Sequence, residues 1–72
     1  MSNEKAIEWD VTELLDTILD CVIEVCELDG ILDSGANSTW SSAMRVLAKW
    51  GRIEILEERS PRWIIGKVRN QE

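Results

Sequence analysis

The sequence predicts an α+β fold: a long N-terminal helix, a short connection, a second helix and a C-terminal β-hairpin. Three observations predict it. Apolar residues recur at helical spacing over 11–28 and again over 40–50. Two runs rich in β-branched residues, 52–58 and 63–68, flank Arg59-Ser60-Pro61-Arg62, whose Ser and Pro favour a turn. The 72 residues suit one domain spanning 1–72, with 1–8 and 70–72 expected to fray.

The first helix is expected to start after Asp10. Asp10 with Glu13 forms a capping-box-like pair, and Trp9 with Leu14 a hydrophobic staple. It should run to about Leu28, with Gly30 placed to stop it. Its apolar positions, from Val11 and Leu14 through Cys21 and Val25 to Leu28, cover an arc of roughly 220°, twice what a one-sided surface helix needs. Such a helix should be buried on more than one side, and a homodimer through it, or through the outer face of the hairpin, is expected. The opposite arc carries Glu13, Asp16, Asp20, Glu24 and Glu27 and no base, so neighbours four apart repel one another.

Cys21 and Cys26 lie five apart on this helix, roughly 140° around the cylinder, and cannot bridge each other. They read as buried free thiols in a reduced cytoplasmic setting. The sequence shows no signal peptide and no 18-residue apolar run, so no membrane association is expected.

Residues 29–38 read as a connection with room for one short strand or one helical turn. The second helix is expected over Thr39–Trp50, capped by Ser38 or Asn37 and stopped by Gly51. Trp40, Ala43, Met44, Val46, Leu47 and Trp50 take the core side of its wheel. Ser41, Ser42, Arg45 and Lys49 take the other, which holds two bases and no acid. In the hairpin, placing Glu58 opposite Trp63 sets Glu54 against Lys67 and Leu56 against Ile65. Ile53, Ile55, Ile64 and Val68 then face the core. The outer face, with Leu56, Trp63 and Ile65, is too apolar for a solvated strand pair and should be covered by Ile7 and Trp9 or by another chain.

The net charge of −6 is unevenly spread. Residues 1–38 carry ten acids against one base, a balance of −9, while residues 39–72 carry seven bases against four acids, a balance of +3. An acidic whole disfavours non-specific nucleic-acid binding, but screening over about 10 Å lets one basic face act alone. Catalytic chemistry has little to work with. There is no histidine and no Gly-rich phosphate loop, and solvated carboxylates on a helix lack the contrasting environments acid–base work needs. Asp16, Asp20 and Glu24 form a flat surface, not a cation cage. Neither an enzyme, nor a metal, nor a cofactor is expected.

The stretch STWSSAMRVLAKWGRIEILEERSPRWIIGKV resembles the last helix and wing of a winged-helix DNA-binding domain. The resemblance rests on LAKWGRIEI and the hairpin after it, and spans residues 38–68, under half the chain. It implies a helix in the major groove of double-stranded DNA, a wing along the backbone or minor groove, and a role in transcription or another DNA transaction. Ser41, Ser42, Arg45 and Lys49 would face the groove, with Arg45 the best placed to contact guanine. Arg59 and Arg62 would hold phosphates at the wing tip, and Arg52, Lys67 and Arg69 would add phosphate contacts or steering. That family usually has a middle helix, for which Gly30–Ser38 leaves one turn at most. A second reading makes the chain an acidic module that occupies a basic protein surface, as small phage-encoded inhibitors of nucleic-acid enzymes do. Glu13, Asp16, Asp20, Glu24 and Glu27 would carry that reading, together with the apolar hairpin face Leu56, Trp63 and Ile65.

Overall fold

The computed structural model describes residues 10–69. The fold is α+β. Helix α1 spans Val11–Cys26, and the Asp10 carboxylate caps it by accepting the Thr12 N–H at 3.2 Å. Trp9, the expected staple partner, and Ile7, an expected cover for the hairpin, lie outside the described residues. The helix ends two residues before Leu28, because Glu27–Leu28 leaves it as strand β1 and pairs antiparallel with Ile31–Asp33, strand β2. Gly30 is therefore not a helix stop. Asp29 and Gly30 both adopt left-handed backbone (φ 55° and 80°), the requirement of a tight two-residue hairpin turn that Asp-Gly meets cheaply. The Glu27 carboxylate accepts the Gly30 N–H at 2.7 Å across this turn. No helix forms between Gly30 and Asn37; a strand stands there instead.

Helix α2 spans Ser38–Lys49, and Asn37 proves to be the cap, its side-chain oxygen accepting the Thr39 and Trp40 N–H groups at 2.9 and 3.2 Å. Gly51 ends it as expected. With φ 78°, it lets its own N–H reach the Ala48 carbonyl and the Arg52 N–H reach the Leu47 carbonyl, the paired bonds of a Schellman motif.

Strands β3 (Ile53–Ser60) and β4 (Trp63–Val68) complete an antiparallel sheet of order β1-β2-β4-β3. Glu54 stands opposite Lys67, as expected, but Ser60, not Glu58, stands opposite Trp63. The hairpin turns on Pro61 and Arg62 alone. The register shifts twice, leaving Leu56 and Arg59 as extra residues on β3, and such bulges sharpen the local twist. One consequence is that Glu58 moves opposite Ile64, onto the face toward the helices.

Leu15, Val22 and Cys26 of α1, Met44 and Leu47 of α2, and Leu32, Ile53 and Ile64 of the sheet form the core. Burial, and next the Asp33 carboxylate, push the Cys26 thiol up. Within this chain α1 is buried along one stripe only; Val11, Leu14 and Val25 are exposed, as is the Cys21 thiol, expected from the sequence to lie in the interior.

Ser34 closes the β2–β4 junction. Its N–H donates to the Ile64 carbonyl at 3.1 Å, and its hydroxyl oxygen accepts the Ile64 N–H at 2.9 Å while donating to the Gly35 carbonyl at 2.8 Å. The side chain thus extends the backbone ladder one step past the strand. Ser34→Ala leaves a buried N–H without a partner, a loss of about 1–3 kcal/mol. Urea unfolding should show the midpoint fall at unchanged slope, and an unmoved midpoint would mean water replaces the hydroxyl.

Candidate nucleic-acid interface

The exposed side of α2 is rotated from the expected one. Ser41, expected to face the groove, is only 2% exposed; its hydroxyl donates to the Ser38 carbonyl at 3.2 Å, so its small side chain enters the core satisfied. Val46 and Trp50, placed on the core side by the sequence, are solvent-exposed, Val46 by 42%. The outward residues are Thr39, Ser42, Arg45, Val46, Lys49 and Trp50. Thr39 and Val46 were missed because a helical wheel fixes spacing but not the direction from which neighbours arrive.

Arg45 joins this face to the hairpin. One guanidinium nitrogen donates to the Glu58 carboxylate at 2.8 Å and to the Pro61 carbonyl at 2.9 Å. The bulge at Arg59 makes this possible, since it turns Glu58 toward α2. The α2 face and the hairpin tip are therefore neighbours held in one geometry, with Ser42 and Lys49 on the helix and Arg62 in the turn. Among the described residues, neither Lys49 nor Arg62 makes an ion pair.

The other predicted contacts do not converge there. Arg52 turns to α1, donating to Asp16 at 2.9 Å, and braces α1 against the start of β3. Arg59 folds onto the far face of the hairpin, with Nε 3.1 Å from Glu57 and its guanidinium 5.2 Å from the Trp63 ring centroid. Lys67 stands at the end of the hairpin away from its turn. With Arg69, Ile23, Glu27 and Glu54 it lines an open cleft of about 630 Å³ whose charges are mixed in sign.

The features of the acidic reading are also separated. Glu13, Asp16, Asp20 and Glu24 lie exposed along α1 and Glu27 at the start of β1, and of these, among the described residues, only Asp16 is ion-paired. Leu56, Trp63 and Ile65 belong to the sheet face turned away from the core, but they do not form an open apolar patch. Ile65 is buried, and Trp63 is half-buried with its indole N–H donating to Asp33 at 2.8 Å. Leu56 alone of the three is exposed.

Among the described residues no group of three or more carboxylates or thiols gathers as a metal site, and no helix is long and apolar enough to cross a membrane. Comparison with family models, curated proteins and solved structures finds no match for this chain.

Proposed function

We propose that this protein binds double-stranded DNA through the outer face of α2 and the tip of the β3–β4 hairpin. The observation that carries this reading is the Arg45 bridge, which fixes a basic helix face beside a basic turn. In this reading Ser42 and Val46 meet base edges, Val46 against a thymine methyl, and Lys49 and Arg62 hold phosphates. Arg45 enters with a carboxylate partner already in place, while Arg59 stays on the far face of the hairpin. Exposed ion pairs of this kind are worth at most about 1 kcal/mol, so phosphates can take their place.

Fluorescence anisotropy with random-sequence duplex across a salt series is the test. With three or four phosphate contacts, log K should fall with log salt at a slope of about −3. Lys49→Ala with Arg62→Ala should reduce the slope by about two and weaken binding at least tenfold. Absence of binding at low salt would remove the DNA reading.

The acidic reading keeps one observation of its own, the row of α1 carboxylates of which, among the described residues, only Asp16 is ion-paired. It predicts the opposite pattern, in which Asp20→Lys with Glu24→Lys abolishes function and the α2 and hairpin substitutions spare it.

A further inference from the structure

We infer that α1 is the interface of a parallel homodimer, packed against the same helix of a second copy. Val11, Leu14, Ile18, Cys21 and Val25 follow one another at intervals of three, four, three and four, the spacing of a coiled-coil seam. The residue types match one oligomer. The β-branched Val11, Ile18 and Val25 fall at alternate positions and Leu14 and Cys21 at those between, and β-branched residues alternating with Leu favour two parallel strands. The fold spends none of this stripe except half of Ile18. Val11, Leu14, Cys21 and Val25 are exposed, Val25 by 59%. Leu28 and Ile31, in the β1–β2 hairpin that follows the helix, are exposed as well.

Charge selects the parallel arrangement. Asp10, Thr17 and Glu24 flank the stripe on one side, and the core residues Leu15 and Val22 flank it on the other. An antiparallel pair would set Asp10 of one helix against Glu24 of the other. A parallel pair has its two-fold axis along the helices, which places the acid rows on opposite sides, screened from each other beyond about 10 Å. A pair of 16-residue helices makes a small interface, on the order of 1,000 Å², the size of weak and reversible associations. It does not depend on DNA binding. If the DNA reading also holds, the two α2 helices are related by the same axis and the site read is an inverted repeat.

Sedimentation velocity without DNA, from about 5 to about 500 μM protein, should show the mass double across that range. Leu14→Glu and Val25→Glu, both at exposed positions, should leave the circular dichroism spectrum unchanged, keep the protein monomeric throughout and make its melting temperature independent of concentration. Mild oxidation should cross-link wild-type dimers through Cys21, which meets its own symmetry mate in a parallel seam. The two thiols lose two protons and two electrons to the added oxidant. A wild-type monomer at every concentration, a dimer that survives both Glu substitutions, or a dimer in which Cys21 does not cross-link would overturn the proposal.

Discussion

Leu47→Ala is expected to leave much of the protein unfolded at 25 °C. Leu47 is 0% exposed and sits in the core with Met44, Ile53 and Ile64. Truncating a buried Leu costs about 2–5 kcal/mol through lost transfer energy and the cavity left behind. A core this small supplies only about 3–5 kcal/mol of net stability, so the loss is comparable to the whole. Val46→Ala is the matched control, because the neighbouring side chain points to solvent and its removal should change stability by less than about 0.5 kcal/mol. Urea melts followed by circular dichroism measure both. Equal losses at the two positions would mean that α2 is rotated from the orientation described.

Gly66→Ala should lower the melting temperature by about 10–20 °C. Gly66 lies in β4, the strand that pairs on both sides, opposite Leu32 and Ile55. A methyl group there would stand 2.8 Å from the Glu54 carbonyl oxygen and 3.2 Å from the Met44 terminal methyl. Methionine can swing aside, but the carbonyl belongs to the adjoining strand and can move only by parting β3 from β4. Elsewhere in a strand, replacing Gly by Ala gains about 0.5–1 kcal/mol from reduced chain entropy, so the sign of the change reports the clash directly. A melting temperature at or above wild type would show that the two strands separate at this point without cost.

The parts legible in the sequence are those set by short-range chemistry. Asn37 and Gly51 bound α2 because a side-chain oxygen before the first turn and a left-handed residue after the last satisfy orphaned backbone groups, whatever lies around them. Glu54 and Lys67 stand opposite each other because the two bulge residues, Leu56 and Arg59, make up for a turn two residues shorter than the sequence suggested. The Asp29-Gly30 turn was equally local, yet its flanking strands are only two and three residues long. Strands that short carry no periodicity, and Gly30 read instead as the end of a longer helix. Ser34 gave no signal, since a serine that continues a ladder is identical in sequence to one that lines a loop.

The candidate site divides along the same line. The sequence pointed to Ser42, Lys49 and Arg62, exposed polar positions whose placement follows from helix spacing and turn chemistry. Ser41 and Val46 exchanged places because α1 and the sheet meet α2 from a direction its own wheel does not record. Arg52 and Arg59 are charges whose use depends on which carboxylate the fold brings near, and the fold brings Asp16 and Glu57.

By itself, then, the sequence determined the fold class, the existence of both helices, the stop of α2 and its cap to within one residue, and the presence of a C-terminal hairpin, all consequences of interactions between residues a few positions apart. Tertiary structure alone decided the phase of each helix, the two bulges that turn Glu58 toward Arg45, and the stripe of α1 left open to solvent. Those depend on contacts between residues distant in the chain, where packing against a specific neighbour outweighs any local preference.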